Sequence, residues 1–270
     1  MSLARTFAAA AAALILCAPL VAQSQVVQPT KPEAVTETRT LALASGSRLK
    51  VKNVNGFIKV EAWEREEVQF TGEFKPSSQD EQVKVVIESG SGSLEIRGEY
   101  PKRNGGAFNR GAQCQMTLKV PRRLEVTLES VNGEVSLRGT QGSATLSTVN
   151  GGLTAQDLVE SLKAHTVNGG ITLEGVKGAL DLETVNGAIR GTGLDGQGKG
   201  IKAEAVNGSI HLQLAGLKGH LKAATVNGGI SFNAKGAEQV EVTKRRVKAT
   251  FPGSEQVIAV ETVNGAIKLD

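Results

Sequence analysis

Around Asn168, Leu162, Ala164 and Thr166 alternate with Lys163 and His165, and beyond Gly169, Ile171 and Leu173 alternate with Thr172 and Glu174. A period of two places successive side chains on opposite faces of an extended chain, so the pattern predicts two half-buried strands joined at Asn168-Gly169. A second corner follows at Gly175-Val176-Lys177-Gly178, and the same Gly-x-x-Gly spacing recurs at 139–142, 193–196 and 216–219. From Leu41 onward every periodic segment has the strand period, and none has the period of a helix.

The unit repeats. Val-Asn-Gly occurs eight times, with its asparagine at Asn55, Asn132, Asn150, Asn168, Asn186, Asn207, Asn227 and Asn264. Four consecutive copies are 18 residues apart and the next steps are 21, 20 and 37, the length of one supersecondary unit. Two further segments keep the alternation without the tripeptide. Val85, Ile87 and Ser89 lead into Ser91-Gly92 and then Leu94 and Ile96, which puts Ser91 at the asparagine position. Val240 and Val242 lead into Lys244-Arg245 and then Val247 and Ala249, a degenerate rung that fills the long gap.

Two architectures fit. Asn-Gly between alternating strands signals a two-residue hairpin, and a series of them makes an antiparallel meander or barrel. The alternative is a parallel β-helix or β-solenoid of about a dozen rungs, each of 17–21 residues and each one turn of the chain. In hairpins, Val167 would share the polar face with His165 and Lys163, whereas a corner that breaks parity would let the valines turn inward and stack. Two strands per repeat would also exceed the ~10 strands that an open sheet tolerates. Both arguments favour the solenoid, in which asparagines stacked at ~4.8 Å could hydrogen-bond along a ladder. The asparagines are thus read as structural corners, where Asn-Gly tolerates positive φ.

The ends of the chain read differently. Arg5, the apolar run Phe7 to Val21 and the small-x-small site Ala22-Gln23-Ser24 predict a secretory signal peptide over 1–24. Cys17 follows Leu16, which is too large for the usual lipidation site. Residues 25–40, polar and with Pro29 and Pro32, read as a flexible linker, and 41–270 as the repeat domain. A basic, Gly-rich insertion near 100–115 is expected to leave the rod as a loop. The last strand stops at Leu269-Asp270 with no cap in view, so that end is expected to be covered by the insertion or to engage a partner.

Composition narrows the function. The formal net charge is +4, too slight for a nucleic-acid binder, and no segment after the leader is apolar enough to cross a membrane. Cys114 is the one cysteine beyond the leader, so no internal disulfide forms. Aromatics make up 3% of the chain, against 32 glycines, which suits a narrow, turn-rich β structure better than a sugar-binding platform.

The segment Leu49-Lys50-Val51-Lys52-Asn53-Val54-Asn55-Gly56-Phe57-Ile58-Lys59-Val60-Glu61-Ala62-Trp63, with Ser89 to Leu94 and the later Thr-Val-Asn-Gly units, resembles the bacterial putative-adhesin family of β-strand-repeat envelope proteins, a domain of unknown function. The resemblance runs over roughly Leu41 to Asp270. It implies an exported protein of the cell envelope and supplies no catalytic residues.

Candidate chemistry is sparse. His165, His211 and His220 form no close pair with one another or with Cys114, so no metal and no cofactor are expected. Glu183, Glu204, Glu241 and Glu261 fall three positions before a corner, with Glu129 and His165 in the same column and Ala224 interrupting it. Such a column is the one lead toward a polysaccharide-active enzyme, a lyase or hydrolase. Lys163, Asp181, Lys202 and Lys222 lie in the adjacent column, and a mixed-charge solvated face is the plainer account. The basic candidates for interaction are Lys102, Arg103 and Arg110 in the insertion and Lys244, Arg245 and Arg246 at the degenerate corner, with Arg122-Arg123 also basic. If they converge, they suit anionic lipids or acidic envelope glycans.

These observations predict an all-β, non-enzymatic envelope module, periplasmic or at the cell surface, that acts as adhesin, scaffold or interaction module. Envelope glycans, anionic lipids and another envelope protein are the candidate partners.

Overall fold

The computed structural model describes residues 23–27, 35–75, 83–101, 111–196, 199–214, 218–233, 235–253 and 255–270. Residues 1–22 of the segment expected to be a signal peptide, Cys17 among them, lie outside these residues. Two sheets face each other, sheet A of thirteen strands and sheet B of eleven. Each repeat contributes one strand to each sheet. In the Asn168 repeat these are Leu162–Asn168 in sheet A and Ile171–Glu174 in sheet B. Successive repeats pair in parallel and in register, so that Asn150, Asn168 and Asn186 stand one above another. The chain is a β-solenoid.

The core is the space between the sheets. Leu162 and Ala164 point inward from one side, Ile171 and Leu173 from the other, and Leu158, Val176 and Leu194 fill the second corner; all are buried. Identical positions of neighbouring rungs stack on one another, so each rung buries its apolar residues only because another covers them.

The two ends depart from sequence order. The first rung, Arg48–Lys52 and Ile58–Trp63, does not lie outermost. It sits between Ser93–Glu99 and Glu125–Asn132 in sheet A, and between Gln113–Pro121 and Val135–Arg138 in sheet B. Likewise the last rung, Val257–Asn264 and Ile267–Leu269, lies between the Asn207 and Asn227 rungs in both sheets. The expectation that the last strand is covered by the insertion or engages a partner is overturned: Ile267–Leu269 is paired on both edges by the Asn207 and Asn227 rungs of its own chain.

Antiparallel strands close both ends of sheet A and one end of sheet B. Lys84–Gly90 turns back on Ser93–Glu99, so Ser91-Gly92 is a hairpin turn and not a rung corner. Gln239–Val242 and Arg246–Phe251 form a second hairpin, which packs antiparallel on Gly219–Asn227. Lys244-Arg245 is the turn of that hairpin, and the reading of a degenerate rung there is corrected. The alternation was the same in both cases; strand direction depends on which edge was free to receive the segment. The stack is thus about a dozen layers thick; its outer layers run antiparallel except at one edge of sheet B, where Ile230–Phe232 pairs in parallel with Ile267–Leu269.

The described parts of the segment read as a flexible linker, 25–27 and 35–40, lie in strands. Gln23–Val27 pairs with Lys84–Gly90, and Val35–Ala42 pairs with Glu67–Lys75. Val27 and Leu41 are buried there, and the strand edges that receive them supply hydrogen bonds that the local sequence does not reveal. The insertion is shorter than expected. Ala112 and Cys114 are buried, Gln113–Pro121 is a strand of sheet B, and Tyr100 donates its hydroxyl to Asn53 Oδ1 at 2.6 Å.

Candidate functional site

The repeat makes its most regular surface on sheet A, beside the asparagine corner. In Leu162–Asn168 inward and outward residues alternate without a break through Val167, which remains on the outer face. The inward-turning valine stack expected from the sequence is therefore absent. Thr166, not Val167, is the last inward residue, and its hydroxyl donates to the Gly151 carbonyl at 3.0 Å. Thr148, Thr184, Thr262 and Thr225 make the same bond to Gly133, Gly169, Gly208 and Gly265. The corner comes one residue later than the parity argument placed it.

The consequence is a column of solvent-facing valines. In spatial order it runs Val131, Val149, Val167, Val185, Val206, Val263 and Val226, from 40% exposed at Val131 to 55% at Val226. One edge of this column is the asparagine ladder. Each amide nitrogen donates to the carbonyl oxygen of the next asparagine at 2.8–2.9 Å, unbroken from Asn227 through Asn264, Asn207, Asn186, Asn168, Asn150 and Asn132 to Asn55. Among the described residues no asparagine has positive φ, and of the glycines that follow them only Gly56 does. Gly169 is glycine for another reason: a Cβ there would lie 1.8 Å from the Gly151 carbonyl oxygen of the neighbouring rung. Close approach between corners explains the motif, not the positive φ expected from the sequence.

The other edge carries charge. Because the Asn264 rung is interposed, Glu183, Glu204 and Glu261 are consecutive neighbours, and Ala224 follows them instead of interrupting them. Glu241 leaves the column; it lies on the hairpin, where Lys248 Nζ stands 3.4 Å away. Lys202 Nζ bridges Glu183 at 2.9 Å and Glu204 at 3.1 Å, and His165 Nδ1 lies 3.1 Å from Glu183. The hydrogen bond from Lys202 holds the Glu183 carboxyl below its ordinary value near 4.5, and the same contact raises the lysine. Glu261 has no ion-pair partner among the described residues.

The valines, these carboxylates and the hairpin line a groove of about 980 Å³. Arg245 and Arg246 close one end; Arg246 pairs with Ala224, which separates it from Glu261. Lys244 is exposed on the same turn. Lys102, Arg103 and Arg110 lie outside the described residues. Arg122 is a partner of Glu64 at 2.6 Å, away from the groove. Among the described residues no three His, Cys, Asp or Glu side chains are grouped to hold a metal ion. His211 and His220 are surface residues near Asp270 and Glu255. Burial pushes the Cys114 thiol up to about 12, which leaves it inert at neutral pH.

Sequence reasoning missed the valine column, although its signal was present. Once Leu162, Ala164 and Thr166 are inward, Val167 is outward by the same count.

The fold and its corner grammar decide the family. The Toastrack DUF4097 model matches residues 47–270. The chain belongs to the Toastrack DUF4097 family. Two solved structures align over 88% of this chain and 99% of their own: a putative cell adhesion protein from Clostridium sporogenes, at 14% identity and TM-score 0.39, and a putative adhesin from Bacteroides fragilis, at 13% and 0.42. A putative lipid binding protein from Parabacteroides distasonis aligns over 87% of this chain and 96% of its own, at 12% identity and TM-score 0.34. No curated protein matches the chain. No helix among the described residues is long and apolar enough to cross a membrane.

Proposed function

We propose that this Toastrack chain is an exported, non-enzymatic interaction module of the cell envelope, periplasmic or at the surface, and that the valine–glutamate groove of sheet A is its docking face. The observation that carries the reading is the unbroken column of seven outward valines. Apolar side chains aligned on one face keep a continuous strip in water, and each Å² that a partner covers is worth roughly 25 cal/mol. The family resemblance to adhesins and the leader over 1–24 agree with export. Cleavage after Ser24 would still leave Gln25–Val27 of the first strand in place.

The carboxylates argue against a glycosidase. A general acid needs a raised pKa, whereas Lys202 holds Glu183 ionised, and both lie on an open face. The groove is therefore a surface for recognition.

Isolated envelopes provide the test. The folded chain is expected to sediment with them, and the V185D/V206D variant to remain in the supernatant. Equal sedimentation of both proteins, each folded by circular dichroism, would overturn the docking face. Residual cleavage of envelope polysaccharide that vanishes in E183Q/E204Q would instead restore the enzymatic reading.

A second reading rests on the exposed Lys244-Arg245-Arg246 turn at the groove's end. It binds anionic headgroups or acidic glycans there, with salt-sensitive affinity. Vesicles containing anionic lipid would then retain the chain and lose it on K244Q/R245Q/R246Q substitution; equal retention by zwitterionic vesicles excludes it.

A further inference from the structure

The Asn264 rung is held by the same contacts on both sides. Its asparagine bonds Asn207 on one side and Asn227 on the other, each at 2.8 Å. Thr262 donates to the Gly208 carbonyl, and Thr225 donates to that of Gly265. A Cβ on Gly265 would meet the Gly208 oxygen at 2.1 Å, and one on Gly228 would meet the Gly265 oxygen at 2.0 Å. The registers are identical as well: Ile201, Ile258 and Leu221 align, as do Ile210, Ile267 and Ile230.

The Asn207 and Asn227 rungs therefore present matching edges to the rung between them. Withdrawal of the Asn264 rung would leave the Asn207 and Asn227 rungs facing each other with matching edges. Asn227 could donate to Asn207, Thr225 to Gly208, and Leu221 could settle on Ile201. The gap can close without an orphaned strand edge. The withdrawn segment cannot rest in water, because Ile258, Val260, Ile267 and Leu269 are buried only by neighbouring rungs. It needs another slot of the same kind.

We infer that the space between the Asn207 and Asn227 rungs is an exchange site, which takes the Val257–Leu269 rung of a second copy of this chain in place of its own. The partner is identified by its edge: only a strand pair with Thr-Val-Asn-Gly at the same register satisfies the asparagine ladder, the threonine bonds and the glycine contacts together. Exchange of an identical element adds no new interface type, so its cost lies in opening and not in the bound state.

Two full-length chains test this in a Cys17→Ser background, Cys114 remaining buried. One carries Asn207→Cys and the other Asn264→Cys. In-register parallel neighbours stand ~4.8 Å apart, within the span of a disulfide. On mixing, a disulfide-linked dimer is expected to accumulate slowly, and not when Asn150→Cys replaces Asn207→Cys. Energy transfer between dyes on the introduced thiols reads the same exchange without requiring disulfide geometry. If the doubly substituted chain oxidises within itself while the mixture stays monomeric and shows no transfer, the inference is overturned. The groove substitutions V185D/V206D are expected to leave exchange unchanged, so the two readings fail independently.

Discussion

Asn264 donates its side-chain amide to Asn207 across 2.8 Å, although 57 residues separate them in the chain. That bond places the last rung inside the stack and sets Glu261 beside Glu204. The charged edge of the groove is thus assembled from rungs that are not consecutive in sequence.

Corner glycines should differ sharply in tolerance. A methyl on Gly169 would meet the Gly151 carbonyl at 1.8 Å, whereas one on Gly152 finds only the Gly170 oxygen, at 3.7 Å. G169A is expected to lower the unfolding free energy by at least about 3 kcal/mol, and G152A to change it by less than about 0.5 kcal/mol. Chemical denaturation of the two variants checks this, and similar midpoints would contradict the close-approach account.

Ala205 stands where the neighbouring rungs have Thr184 and Thr262. A205T should add a hydroxyl bond to the Gly187 carbonyl, matching the bond from Thr184 to Gly169 at 2.9 Å. A gain of about 1 kcal/mol is expected by thermal or urea unfolding. Destabilisation would mean that the column has no room for the added atoms.

Thr140 occupies the corner position that Leu158, Val176 and Leu194 fill elsewhere. It is 0% exposed, and its hydroxyl has no hydrogen-bond partner. The T140V variant keeps the shape and removes the unpaired polar group, so it should be more stable by about 1 kcal/mol. A loss of stability in that variant would indicate a bond that forms in solution.

Acid should weaken the Glu183 region. Its folded-state pKa lies below the ordinary value near 4.5, chiefly through Lys202, so the unfolded chain takes up the proton first. The stability it contributes is present above the unfolded value and is lost as pH falls through the folded one. At 41% exposure, solvent screening keeps the effect to about 1 kcal/mol or less. Wild type should lose more stability than E183Q between pH 7 and about pH 3.5; identical losses would remove Glu183 from the account.

Much of this was legible in the chain. The alternation in Leu162–Asn168 and Ile171–Glu174 determined the strands and the apolar face of each, because a period of two leaves only one face apolar. Repetition of that unit favoured a parallel stack over an antiparallel meander, since each rung needs a neighbour to cover it and an open sheet of that many strands is rare. What local pattern could not carry was order. Rungs with similar edges do not encode which neighbour each will take, so the interposed Asn264 rung, the antiparallel strands at the ends and the adjacency of Glu204 and Glu261 came only from the assembled structure. The hairpins at Ser91 and Lys244 followed the same logic, for a strand reads alike in either direction until an edge receives it. The outward valines lay between these cases: parity had placed them, but only the packed corner, with the threonine hydroxyl bonded inside it, showed that the count was never broken.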